Sequence, residues 1–102
     1  MSKTIIDIDA ARDLELYTIN TGAIYRAHTL PTIAALKRKA ARGTYDPAKA
    51  VKAWEYVATA AAKLYCKEFC SSSTPYHAVF TAATRRAVAE GLAEYYADHV
   101  AE

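Results

Sequence analysis

Between Pro47 and Phe69 apolar and polar positions alternate with the period of an α-helix. Val51, Trp54, Val57, Ala61, Leu64 and Tyr65 fall on one side, and Lys49, Lys52, Tyr56, Lys63 and Lys67 on the other. At about 100° per residue the second set fills roughly a 60° sector and forms a ridge about 27 Å long. Asp46-Pro47 opens the helix: the aspartate accepts from free N–H groups of the first turn, and proline suits the first position. The same reading predicts a helix over 31–42, restarted at Thr29-Leu30-Pro31 and closed by Gly43, the residue best suited to a left-handed C′ position. It should bury Ile33, Leu36 and Ala40 and expose Arg38, Lys39 and Arg42. Thr81 caps a last helix over 82–101, expected to bury Val88, Leu92, Tyr95, Tyr96 and His99 and to expose Glu90, Glu94 and Ala97.

The N-terminal pattern is weaker. Residues 1–9 read as a tail or short extended arm that Ile5, Ile6 and Ile8 pin to the body. Asp9 is the expected N-cap of a first helix, Ala10 to about Asn20, although Leu14–Ile19 has some β character. Asn20-Thr21-Gly22 breaks the pattern, and a short helix follows from Ala23 to His28. Ser71–Thr74 is a polar linker, and Thr74-Pro75 begins a single turn that ends near Phe80. The predicted fold class is all-α: a compact bundle of three main helices (31–42, 47–69, 82–101) plus one or two short N-terminal helices. Residues 10–102 form one helical domain. Short connections favour antiparallel neighbours, so 31–42 and 47–69 should pack as a hairpin.

Composition agrees with helix. Of 102 residues 53% are hydrophobic, many of them alanine, and only three glycines and three prolines interrupt them. Eight tyrosines against two phenylalanines suit a small core with wet edges, because the ring is apolar and its tip polar. The net charge of +2 hides a segregation. Residues 1–16 carry two basic and four acidic groups, 17–54 seven and one, and 55–102 four and six, giving −2, +6 and −2 in turn. Such segregation makes a local field, unless the acidic ends fold back on the basic middle. Met1–Asp9 shows no export signal, and the most apolar window, Val57–Leu64, is too short to span a membrane. With two cysteines, these features point to a reducing, cytoplasmic setting.

The central segment resembles a family of small proteins encoded by bacteriophages and other mobile elements. The resemblance rests on Leu16-Tyr17, Asn20, Gly22, Tyr25-Arg26, Thr29, Pro31, Leu36, Arg38-Lys39, Gly43-Thr44-Tyr45-Asp46, Lys49-Ala50, Trp54, Ala62-Lys63, Tyr65 and Lys67-Glu68-Phe69. It covers roughly Leu14–Val100 and is most specific from Tyr25 to Phe69, whereas Ser71–Phe80 departs from it. It implies a phage or prophage origin and a role inside a bacterial host cell, and it brings no catalytic residues with it.

Four chemistries are weighed on the residues themselves. The basic face of Arg38, Lys39, Arg42, Lys49, Lys52, Lys63 and Lys67, with Tyr56, suits a protein complex as partner. Nucleic acid is the alternative, with Lys and Arg on phosphate and Tyr45 or Tyr56 stacking on bases, without sequence-specific readout. The acidic face at Glu90 and Glu94 complements the ridge, so two copies could pair, although either charge set also reads as a solvated face. Cys66, Cys70 and His77 fall short of a zinc set and read as two free thiols and a histidine, so no metal or cofactor is expected. His28, His77 and His99 have no acid at telling spacing, and the separated glycines build no phosphate loop, so neither catalysis nor a small-molecule substrate is expected. Arg26, beside the turn at Gly22, reads either as an anion ligand or as a brace bonding backbone carbonyls.

Overall fold

Asp7, not Asp9, caps the first helix, α1 (Ile8–Asn20): its carboxylate accepts from the Ala10 amide at 3.0 Å. The computed structural model of the chain describes residues 7–70 and 73–101. Of the arm expected over 1–9, residues 1–6 lie outside them, as do Ser71-Ser72 of the linker, and Asp7–Asp9 form the cap and start of α1 rather than an extended arm. The β character of Leu14–Ile19 gives way to helix because Leu14 and Thr18, one turn apart, are both fully buried. Thr18 is buried without loss because its hydroxyl donates to the Leu14 carbonyl at 2.7 Å.

Thr21 is extended and separates α1 from α2 (Gly22–Ile24). Beyond α2 the chain was expected to stop at His28 and restart at Pro31. Instead it passes through one π-helical turn, Tyr25–Thr29, directly into α3 (Leu30–Ala41). The Leu30 amide donates to the Tyr25 carbonyl, five residues back. Proline has no N–H for the regular ladder, and its ring crowds the carbonyl four residues earlier. A widened turn just upstream of Pro31 absorbs that misfit without ending the helix.

At the end of α3, Gly43 takes φ 73° as expected. The Thr44 amide donates to the Lys39 carbonyl at 2.9 Å and the Gly43 amide to the Ala40 carbonyl at 3.1 Å, which closes the helix as a Schellman motif. Asp46 then caps α4 (Pro47–Phe69) by accepting from the Ala48 amide at 3.0 Å. After α5 (Tyr76–Val79), Thr81 caps α6 (Ala82–Tyr95) through the Thr84 amide at 3.2 Å. The predicted last helix breaks at Tyr96, leaving a separate α7 (Ala97–Ala101).

The described residues are all-α, with no strand among them. Their core is α4 against α6, with α1 packed on both. Ala50, Ala58, Ala61 and Ala62 of α4 and Ala89 of α6 are buried, and their small side chains let the helix axes approach. Trp54 fills the centre and stacks on Tyr96 at 5.1 Å with 12° between the rings. At the other end of α4, Tyr65 meets Tyr17 and Phe80 edge-on, each at 5.2 Å.

Several expected positions move. Ala40 is exposed, as are Tyr95 and His99, and Val100 is buried in their place. The buried row of α6 and α7 is Thr84, Val88, Leu92, Tyr96 and Val100, one residue in four. Such a row drifts about 40° per step around a helix. It therefore swings away from Tyr95 and His99, and the break at Tyr96 turns α7 onto α3. The expected α3–α4 hairpin is correspondingly loose: α3 packs more closely on α7 than on α4. Its core-facing anchors are only Ile33 and Leu36, and a cleft opens between the two helices.

Candidate functional site

All eight residues of the predicted basic face, Arg38, Lys39, Arg42, Lys49, Lys52, Tyr56, Lys63 and Lys67, are exposed. The structure gathers four of them around one cleft. Lys39 from α3 and Lys49, Lys52 and Tyr56 from α4 line an open cleft of about 650 Å³ whose floor is Pro31, Thr32, Ala35 and Ala53. Thr32, Ala35 and Ala53 carried no charge signal and were not singled out from sequence, and Pro31 was named there as a helix start and in the resemblance, not as a site residue. What marks them is small size at helical spacing on the two facing helices, which leaves room between the backbones. Arg38 and Arg42 fall within roughly 20° of Pro31 on the α3 wheel. They continue the same outward stripe past the cleft.

Lys63 behaves differently. Its ammonium lies 5.5 Å from the centre of the Tyr76 ring, which Arg85 also faces at 5.2 Å. Arg85 was not singled out from sequence. Its Nε donates to the Phe80 carbonyl at 3.0 Å and its terminal nitrogen to the Thr59 hydroxyl at 3.1 Å. It pins the start of α6 to α4. Lys63 is thereby tied to the α5 corner, and Lys67, one turn on, stands apart from the cleft.

The charges in the cleft are uncompensated. Among the described residues the side chains of Lys39, Lys49 and Lys52 make no hydrogen bond or ion pair. The nearest carboxylate on the helix, Glu55, is taken by Arg86 of α6 at 3.0 Å. Tyr56 stands among them 73% exposed, an unusual position for so large a ring. It also borders a smaller cleft of about 240 Å³ with Lys52, Thr59 and Arg85.

The acidic helix does not cover this face. Glu90 and Glu94 line a second cleft of about 650 Å³ with Tyr45, Val51, Ala93 and Ala97. On the α4 wheel Pro47 and Val51, which wall this acidic cleft, lie about 170° and about 130° from the centre of the lysine set. The two clefts therefore open on opposite sides of the first turns of α4.

The remaining candidates resolve as follows. Cys66 is buried and Cys70 half-buried, both as free thiols. Burial, then its neighbour Cys70, pushes the Cys66 thiol up to about 11, which keeps it protonated and unreactive near neutrality. Among the described residues no three His, Cys, Asp or Glu side chains converge as metal ligands would. Arg26 was expected to bind an anion or brace the turn through carbonyls. It is exposed, its guanidinium lies across Gly22, and that guanidinium makes no hydrogen bond among the described residues, so the brace is corrected to a packing contact. Among the described residues no helix is long and apolar enough to cross a membrane. Comparison of the chain with protein-family models, with curated proteins and with solved structures found no match in any of the three.

Proposed function

We propose that this is a non-enzymatic binding protein whose α3–α4 cleft docks an acidic segment of a protein partner. The observation that carries this reading is the exposed Tyr56 ring among Lys39, Lys49 and Lys52, unpaired cations around an apolar floor of Pro31, Ala35 and Ala53. An amphipathic acidic helix fits such a groove: its apolar side meets the floor and its carboxylates meet the rim. The ring supplies a rigid anchor of the kind that dominates interface energies. The resemblance to small phage-encoded proteins supports a partner in the cytoplasm of a bacterial host.

Nucleic acid is the second reading, favoured by one feature: a phenol ring standing clear of the surface beside lysines is what an unpaired base needs for stacking. Fluorescence anisotropy separates the two, using a labelled glutamate-rich amphipathic peptide and generic single- and double-stranded DNA and RNA. An acidic peptide held partly by the apolar floor keeps most of its affinity when salt rises from about 50 to about 200 mM, whereas phosphate-driven binding falls steeply. In the protein-partner reading Tyr56→Ala weakens the peptide by about tenfold, a typical loss for an aromatic anchor. Binding of nucleic acid alone at low salt would replace this reading with the second, and binding of neither would retire both.

A further inference from the structure

The acidic cleft is a concavity of about 650 Å³ for which the basic face leaves no role. Its walls are small and apolar (Val51, Ala93 and Ala97, with the Tyr45 ring), and its charged lip is Glu90 and Glu94. Both carboxylates are exposed, and neither makes an ion pair among the described residues. Elsewhere on the chain Lys49, Lys52 and Tyr56 present the inverse of this surface, two unpaired cations beside a protruding ring. The spacings agree. Glu90 and Glu94 are about 6 Å apart along their helix, Lys49 and Lys52 about 4.5 Å, and Tyr56 follows one turn later.

We infer that the occupant of the acidic cleft is a second copy of this chain, whose Tyr56 ring enters between Val51, Ala93 and Ala97 while its Lys49 and Lys52 pair with Glu90 and Glu94. This rests on the protein-docking reading of the ridge and names its partner. The geometry also fixes the kind of assembly. Ridge and cleft face opposite ways across α4, so two copies related by a two-fold axis do not satisfy both surfaces at once. The contact is heterologous, and each bound copy leaves one free ridge and one free cleft. The protein therefore extends head to tail as its concentration rises.

The test is sedimentation velocity on the full chain from about 10 µM to about 1 mM, at about 50 and about 500 mM salt, since exposed ion pairs are screened within a few ångströms at the higher value. The expected result is a mass-average that starts near 11.2 kDa, passes the dimer at low salt and returns toward the monomer at high salt. Lys49→Glu/Lys52→Glu and Glu90→Lys/Glu94→Lys are each expected to stay monomeric, with unchanged circular dichroism. Mixed in equal amounts they regain assembly, because each then carries the complement of the other. A parent that remains monomeric throughout, a dimer that does not grow, or a mixture that fails to associate would each overturn the inference. The labelled acidic peptide keeps the two ideas apart. If it binds the cleft of Lys39 and Tyr56 while the protein stays monomeric, the docking reading stands and the second-copy partner is wrong.

Discussion

Glu15 occupies a place where a carboxylate is disfavoured. It is partly buried between α1 and α6, and burial, then the negative charge of Glu94, raises its pKa above 4.5. A folded-state pKa raised in an acid means that the native form binds its proton more tightly than the unfolded chain does. The charged group therefore costs stability at neutral pH, and the cost disappears as the pH falls through its pKa. Glu15→Gln should stabilise at pH 7 by a few tenths of a kcal/mol, the small size reflecting its partial exposure. Urea midpoints of parent and variant should converge by about pH 4. Gly91 is coupled to the same group, because a Cβ there would overlap the Glu15 carboxylate. The overlapping atoms are the far end of a flexible side chain, and alanine favours helix by about 1 kcal/mol. Cys66 acts in the opposite pH range. Its thiol ionises at 9.0 ordinarily and at about 11 when folded, so its contribution is full below pH 9.0 and is lost as the pH rises toward 11. Tyr17, through burial and then Glu68, and Tyr96, through burial and then Tyr95 and Tyr25, are also shifted upward and extend the loss above pH 10.0. The urea midpoint should fall between about pH 9 and about pH 11, and Cys66→Ala should flatten that fall. None of this was legible in the sequence, because each shift depends on which neighbours the fold brings within a few ångströms.

At the scale of elements, local chemistry and long-range packing separate cleanly. Asp46, Thr81 and Gly43 each do what their type and spacing imply, because a cap is a contact within four residues. Gly43→Ala tests this alone: no atom stands within 4 Å of the added Cβ, so only the left-handed φ of 73° opposes it. The expected loss is about 1–2 kcal/mol by denaturant titration. Where elements meet at a distance, periodicity was a weaker guide. The helix 47–69 was legible because its apolar row is long and its polar row contiguous. Pro31 was misleading because a π turn, which has no sequence signature, carried the helix through it. Tyr95, Tyr96 and His99 were ambiguous because a short helix offers several apolar rows, and only the stacking of Tyr96 on Trp54 selects one. Trp54 is 1% exposed. Trp54→Ala should therefore cost about 3–5 kcal/mol. On a domain of this size that is a large share of the total. A near-neutral result would make the Trp54–Tyr96 stack peripheral to the fold.

Over the whole molecule, the segregation of charge along the chain becomes a segregation in space. The basic middle contributes α3 and the first half of α4, and the acidic C-terminal part contributes the opposite lip of the α4–α6 layer, so folding keeps the two fields apart. The ridge was legible as a stripe at 100° per residue. The cleft beside it was not, because it depends on α3 packing more closely on α7 than on α4. The separation makes a sharp prediction about fold against function. Reversing Lys49, Lys52, Lys63 and Lys67 to glutamate takes the net charge from +2 by four changes of two units to −6. All four side chains are exposed, and three make no contact that the fold requires. Only Lys63 does, over Tyr76 at 5.5 Å, an interaction worth about 0.5–1 kcal/mol at an exposed site. Glutamate and lysine have similar helix propensity. The far-ultraviolet circular dichroism should therefore be unchanged, and the melting temperature should fall by no more than about 4–8 °C. Binding of the acidic peptide should be abolished in the same variant, because the rim then repels what it formerly attracted. A variant that loses helicity would mean that the lysine stripe lies against the body of the protein. A variant that keeps both fold and peptide binding would move the binding surface away from α4.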